Sequence, residues 1–367
     1  MPELANSSPA AQVALKVNGT IYEGWLSVRV TTGIDRCAGD FELGLSSLWA
    51  GDALLQRRIR PGDECELQLH GRTVVRGYVD ALDVSIDDRT HVVSVSGRDK
   101  TADLIDCSAV HKPGQWSGQT VLAIAQAVAK PFGVEVRAEV DTGKPLGRFS
   151  LNTGETAYEA IERAARLAGL LVTTDGTGAL VLTRAGLARA ADDLVYGQNI
   201  RAASATLDVR DRFQTYTALG QAAGGDYFNA AAAAHLKAVA TDAEVQRFRP
   251  LILTGDSPGA GGTLRERAQW EADVRAARSM QVSVTVQGFT QTDGSLWRPN
   301  RLVRVKAPPL LLDEDLLLAA VSYMVGDQGC VTQLELTRAD AFRLQPTKAD
   351  TGKAGKRAYF DQAEPVR

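Results

Sequence analysis

Two distant stretches of this 367-residue chain carry one pattern. Arg60-Pro-Gly-Asp-Glu-Cys-Glu-Leu-Gln68 is matched by Arg298-Pro-Asn-Arg-Leu-Val-Arg-Val-Lys306. A constant separation of 238 residues sets Arg298 against Arg60, Val303 against Cys65 and Val305 against Leu67. Each stretch leaves an Arg-Pro turn in alternating residues, the period of a strand with one buried face. The match then drifts by three residues but continues, with Val93, Val95 and Asp99 lying 241 positions before Leu334, Leu336 and Asp340. A small β unit that occurs near both ends, with other material between, predicts an architectural ring-former before it predicts an enzyme.

The first unit is expected over residues 13–104, after an N-terminal arm of residues 1–12. Val13 to Tyr22 carries an Asn18-Gly19 hairpin signal. Trp25 to Thr31, Asp40 to Leu45, Asp63 to Leu69, Val74 to Val84 and His91 to Gly97 read as short strands, and Ile86 to Thr90 as a polar turn. Strands at this spacing indicate a small barrel or sandwich.

The period then changes to that of helices. Thr120 to Lys130 places Val121, Ile124, Ala125 and Val128 on one stripe, ended by Pro131 and Gly133. A second helix opens at Thr156 with Glu159 three residues on, a capping box. Its expected buried stripe is Tyr158, Ile161, Ala165 and Ala168, and Gly169 suits the left-handed position after it. Gly118, Thr120, Gly133, Val134 and Val136 lie 36 positions before Gly154, Thr156, Gly169, Leu170 and Val172. Residues 105–190 therefore read as an α/β domain with a doubled helix-strand unit. Its Asp175-Gly-Thr-Gly178 segment has no following Lys-Ser or Lys-Thr and opens no helix, so it reads as a hairpin turn rather than a phosphate loop.

The second β unit is expected over residues 191–345, with strands in Ile200 to Gln221 and Leu207, Val209 and Phe213 buried. An insertion at about 222–281 contains Gly224-Gly225, the alanine run Ala230 to Ala234, a Gly-rich turn at Ser257 to Gly262 and a helix from Thr263 to about Ser279. Residues 346–367 form a polar C-terminal tail. The fold class is thus α+β, mainly β: two related small β-barrel domains, an α/β domain between them and an insertion in the second barrel.

The rest of the sequence removes function classes. A net charge of −3 provides no general basic field for nucleic acid, and no apolar run approaches a bilayer span, so no membrane insertion is expected. No export signal is visible at the N-terminus. Cys37, Cys65, Cys107 and Cys330 lie far apart and read as buried free thiols. His70, His91, His111 and His235 are scattered, with no ligand or triad spacing. Asp313-Glu314-Asp315 is the densest acidic cluster and reads as a solvated turn between Leu310 to Leu312 and Leu316 to Leu318, against a metal or acid-base site. Arg265, Arg267, Arg275 and Arg278, mixed with Glu266, Glu271 and Asp273, read as an exposed, salt-bridged helix face. No catalytic, cofactor-binding or metal residues are assigned.

Against this background the later motifs acquire meaning. Arg247-Phe-Arg-Pro-Leu251, Arg267-Ala-Gln-Trp-Glu271 with Arg275 and Ala277-Arg-Ser279, Val286-Gln-Gly-Phe289, Gly294-Ser-Leu-Trp-Arg-Pro-Asn300 and Leu302-Val-Arg-Val305 follow in order. With Val17-Asn-Gly19, Trp25 and Arg60-Pro-Gly62, this series resembles the Mu-type phage baseplate hub family, tail protein P. Phe289 departs from it, standing where a Trp is expected. The resemblance implies a structural baseplate hub of a contractile tail, similar to the central hub of myovirus tails, with two related β-barrels per subunit. It implies a homotrimer whose six barrels meet the six-fold tail tube or distal tube protein while its threefold end meets the central spike protein. Other baseplate proteins are further partners, and DNA is met only in transit. The location implied is the virion tail baseplate, assembled in the bacterial host cytoplasm. Alternatives are a peptidoglycan- or carbohydrate-binding or degrading tail component, and the hub of a headless contractile bacteriocin.

Overall fold

The structure is a computed structural model, described here for residues 13–46, 59–86, 91–220, 236–254 and 264–344. The arm, the tail, the Ile86 to Thr90 turn beyond Ile86, Gly224-Gly225, the alanine run, the Ser257 to Gly262 turn and Thr263 lie outside these residues.

In the first repeat, β1 (Val13–Val17) and β2 (Thr20–Tyr22) join through Asn18 and Gly19 at φ 49° and 78°, the left-handed pair a type I′ turn needs. Then come β3 (Ser27–Gly33), β4 (Asp40–Ser46), β5 (Glu64–Leu69), β6 (Arg72–Ile86) and β7 (His91–Asp99). Strand alternation buries Cys65, Leu67 and Leu69 and turns Glu64 outward.

The α/β domain follows as α1 (Ala102–Asp106), β8 (Gln115–Gln119), α2 (Val121–Ala129), β9 (Glu135–Ala138), β10 (Leu146–Ser150), α3 (Ala157–Leu167), β11 (Leu171–Thr174) and β12 (Ala179–Thr183). Its two β-α-β units repeat one another in detail. Thr120 and Thr156 both cap a helix, the latter with Glu159 in a complete capping box, and Gly133 and Gly169 are both left-handed, at φ 63° and 64°. The α2 stripe is buried as expected. On α3, Ile161 and Ala165 are buried with Ala157, Ala160 and Ala164, while Tyr158 and Ala168 sit at the rim of the core. Asp175 to Gly178 turns the β11–β12 hairpin, with the Asp175 carboxylate accepting from Thr177 and Ala179 N–H groups.

The rest of the chain gives β13 (Ala188–Arg189), β14 (Leu194–Val195), β15 (Ile200–Leu207), β16 (Thr215–Gly220), β17 (Leu236–Thr241), β18 (Pro250–Thr254), α4 (Leu264–Arg278), β19 (Met280–Gln287), β20 (Arg301–Ala307), β21 (Leu312–Gly326) and β22 (Gly329–Thr337). Here β16 leaves the large sheet and forms a small one with β17 and β18, packed on α4 through Tyr216, Ala218, Ala240, Ala268 and Ala272.

The duplication is real at the level of hydrogen-bonded rows. The first repeat has strand order β3-β4-β7-β6-β5 and the second β15-β19-β22-β21-β20. The row Val28–Leu43–Val95–Leu82 is matched by Ala203–Val284–Leu334–Val321. Both 15-residue long strands carry a register shift at the same place, Val79/Ala81 and Leu318/Ala320. The register sets Val95 against Leu334, so the true separation there is 239 rather than 241. A slip of two residues keeps Val93 and Val95 on the buried face of Leu334 and Leu336. It also set buried Asp99 against Asp340, which is exposed in a 3-10 turn, where the register gives Arg338. The repeats differ at one flank, where β1 is antiparallel to β5 but β14 is parallel to β20.

Neither repeat closes into a barrel among the described residues. Among the described residues the strands of both repeats, β16 apart, belong to one sheet of 14 strands, because β3 pairs with the other repeat's long strand β21. One hydrophobic cluster accordingly runs through both repeats, from Val13 to Leu336.

Three further expectations change. Asp313 to Asp315 lies inside β21, and the turn falls earlier, at Pro308–Leu310 with Leu311 left-handed. The strand is possible because each of these carboxylates meets an arginine. Leu207 and Val209 are exposed, and Phe213 is partly buried against the inserted sheet. Cys37, Cys65 and Cys330 are buried free thiols, but Cys107 is exposed.

Candidate assembly interface

The junction between the repeats is antiparallel, running from Ala320 opposite Gly33 to Val325 opposite Val28. Ile34 N–H donates to Ala319 O at 2.8 Å, and the buried Thr31 and Ser322 hydroxyls stand 3.2 Å apart. Beneath the sheet, Phe289 is fully buried and takes edge contacts from His70 of the first repeat and Tyr323 of the second, each at 5.7 Å between ring centres. The Phe at this place thus fills an aromatic site shared by both halves. The Tyr323 hydroxyl donates to Trp297 O, and burial pushes that phenol above its ordinary pKa.

The repeated Arg-Pro turn has a physical role. Gly62 at φ 91° donates its N–H to Val79 O, and Asn300 at φ 60° donates to Leu318 O, both at 2.8 Å. Each closes the end of its short strand against the bulge of its long one. Asn300 adds a clamp that Gly62 cannot make: its Oδ1 accepts from Gly186 N–H at 2.8 Å and its Nδ2 donates to Arg184 O at 2.9 Å. The α/β domain is held to the second repeat through this side chain.

A second clamp holds that domain to the first repeat. The buried Asp99 carboxylate accepts from Gly39 N–H at 2.8 Å, Thr101 N–H at 2.9 Å, the Thr174 hydroxyl at 2.8 Å and the Thr101 hydroxyl. Burial raises its pKa, and these hydrogen bonds oppose the rise. Beside it, Arg76 N–H donates to Gly176 O, and a Cβ at Gly176 would stand 2.3 Å from Val74 O, so glycine is what permits the hairpin to dock on β6.

Most of the charged residues singled out in the sequence have partners. Arg304 meets Asp313 at 2.7 Å, Arg189 meets Asp315 at 2.8 Å and Arg338 meets Glu314 at 3.0 Å. The Arg189 hydrogen bond holds the Asp315 carboxyl below its usual range. On α4, Glu271 pairs with Arg275 at 2.7 Å and Arg267 at 4.0 Å, while Arg278 donates to Ala341 O. Among the described residues no group of three or more His, Cys, Asp and Glu side chains stands close enough to hold a metal ion. His70 is exposed and meets the Phe289 ring, and His111 stands 4.6 Å from Trp116, so the two histidines occupy separate sites. The Asn300 clamp left a signal in the sequence, an asparagine standing where the repeat has the left-handed Gly62. The Tyr323 and Asp99 contacts left none.

This architecture, two related sheet units and an interposed α/β domain, defines a class of tail protein. The crystal structure of the 43 kDa tail protein of prophage MuSo2 from Shewanella oneidensis superposes with a TM-score of 0.81 at 34% identity, over 90% of this chain and 99% of that one. The tail protein from Neisseria meningitidis MC58 shares the fold, with a TM-score of 0.73 at 23% identity over 90% of this chain and 98% of that one. Family profiles match in series: "Mu phage baseplate assembly protein GpP-like, N-terminal" over residues 12–99, "Baseplate hub protein gp44-like, second domain" over 101–184, and "Mu phage baseplate assembly protein GpP, fourth domain" over 261–345. Baseplate hub protein gp44 of Escherichia phage Mu is 37% identical over 347 residues, 92% of this chain and 90% of that protein. The chain belongs to the Mu-type phage baseplate hub family, whose members are components of the virion tail.

Proposed function

We propose that three copies of this chain close a ring of six related β units at the centre of a contractile-tail baseplate. The ring adapts the six-fold tail tube, or a distal tube protein, to the three-fold central spike, and its channel carries DNA in transit. In this reading residues 13–104 and 191–345 are the two ring units, with an insertion at about 222–281. Residues 105–190 form the α/β domain between them, and residues 346–367 are a tail. The protein is a scaffold rather than an enzyme, assembled in the host cytoplasm with other baseplate proteins.

The observation that carries the proposal is the matched strand order of the two repeats. Two equivalent units per chain let a threefold assembly present six similar surfaces, which is what an adaptor between symmetries requires. The mildly acidic balance, a net charge of −3, suits a channel that must release DNA rather than retain it.

Light scattering tests the proposal. The expected mass is three times the 39.2 kDa chain, reached directly or through a concentration-dependent monomer–trimer equilibrium. A stable dimer at every concentration overturns it, since a twofold contact uses one patch twice and generates no threefold ring.

A further inference from the structure

The chain contains one complete junction between repeats and the two unmatched halves of another. In the complete junction, the far end of long strand β21 takes β3 on the side that its near end gives to β20. The equivalent long strand β6 pairs with β5 at its near end, but beyond Val79 that side has no strand among the described residues. The equivalent of β3 is β15, which among the described residues pairs with β19 alone and has no strand on its other edge.

We propose that the open edge of β6 in one copy pairs with the open edge of β15 in the next, in the register set by the internal junction. This rests on the ring reading above and specifies its contact. Carrying the internal register across the repeat places Ala81 opposite Asp208, Leu82 opposite Leu207, Asp83 opposite Thr206, Val84 opposite Ala205, Ser85 opposite Ser204 and Ile86 opposite Ala203. Val209 N–H takes the place of Ile34 N–H and donates to Asp80 O.

Two independent features support this register. First, its chemistry alternates correctly: Leu82, Val84 and Ile86 meet Leu207, Ala205 and Ala203, while Asp83 and Ser85 meet Thr206 and Ser204. A slip by one residue would set Leu82 and Val84 against Asp208, Thr206 or Ser204. Second, burial differs where it should. In the completed junction Ile34, Tyr323 and Val325 are 2%, 3% and 8% exposed, whereas the corresponding Val209, Val84 and Ile86 are 51%, 50% and 69% exposed. Leu207, on the same edge, is 63% exposed. These are the side chains whose covering requires a neighbour, and their partner is a second copy of this chain. The contact is head-to-tail, the type that closes rings.

Cysteine cross-linking of the full chain tests the register. In a Cys107→Ser background, Asp83→Cys with Thr206→Cys replaces the pair equivalent to Ser322 and Thr31, whose hydroxyls approach to 3.2 Å. Mild oxidation should give linked two-chain and three-chain species on a non-reducing gel, at least tenfold more than Asp83→Cys with Ser204→Cys. Leu207→Lys, at a side chain already exposed in the single chain, should leave circular dichroism unchanged and raise the half-assembly concentration at least tenfold. Trimers by light scattering that fail to cross-link at 83/206, or that link equally at 83/204, overturn the assigned pairing and leave the ring standing. Monomers at every concentration, without cross-links, overturn both.

Discussion

Asn300 allows backbone and side-chain effects to be separated, because the repeat already contains its glycine counterpart at Gly62. Asn300→Gly keeps the left-handed turn at φ 60° and removes the two clamp hydrogen bonds of 2.8 and 2.9 Å to Gly186 and Arg184. At about 0.5–1.5 kcal/mol per bond, the loss is roughly 1–3 kcal/mol, with the added entropy cost of glycine offset by relief of the left-handed strain. Asn300→Ala loses the same bonds and adds about 1–2 kcal/mol for an alanine forced into that conformation. The expected order of stability is native, then Gly, then Ala, with about 1 kcal/mol between the variants. Urea midpoints followed by circular dichroism measure the order. Amide exchange at Gly186, whose N–H loses its acceptor in both variants, should speed up roughly tenfold, the equivalent of about 1.4 kcal/mol. Equal midpoints for Gly and Ala, with Gly186 protection unchanged, would refute the claim that this side chain ties the α/β domain to the second repeat.

Thiol chemistry and acid titration give two more tests. With the native protein near pH 8, a disulfide-exchange reagent should find one reactive thiol per chain, Cys107, because burial pushes Cys65 up to about 12 and also raises Cys37 and Cys330. A second thiol reacting as fast as the first would contradict the packing. Arg98 pairs with Asp80 and Asp106, each at 2.7 Å, and its hydrogen bond lowers the Asp106 pKa. A lowered carboxylate contributes stability above its unfolded pKa and loses it as pH falls through the folded value. Arg98→Ala should therefore flatten the stability profile between roughly pH 5 and 2. The change should be at most about 1 kcal/mol, since all three side chains are at least one-third exposed. A steeper profile in the variant would reverse the assignment.

Much of the fold was legible because it rests on local periodicity. The Asn18-Gly19 hairpin, the Thr156 capping box and the buried face of Cys65, Leu67 and Leu69 are written in neighbouring residues. What stayed hidden depends on partners distant in the chain. Asp313-Glu314-Asp315 resembles a turn until Arg304, Arg189 and Arg338 are brought beside it, and only those pairings allow it to be strand. The expected barrels are a sheet that runs on, because an edge strand's destination is not encoded in its own alternation: β3 reaches β21 rather than closing on its own repeat. Leu207 and Val209 read as buried from their type, yet they lie exposed at and just beyond the end of a strand that has one neighbour among the described residues. For the assembly site, the duplication was visible and the contacts were not.

The β3–β21 junction also sets the order in which the molecule can be made. Thr31 and Ser322, which face each other across it, are 291 residues apart in sequence. At about 5–20 residues per second, a ribosome needs roughly 15–60 s to travel between them. For most of that interval, once β7 has been made, the first repeat holds its own strands but no neighbour for β3, whose unpaired backbone is a template for any complementary edge. A second nascent chain on the same message offers one, the far end of its own β6. The repeat that suits the finished protein to ring building therefore exposes the half-made chain to premature pairing, and the arrival of β21, near the end of synthesis, ends that exposure.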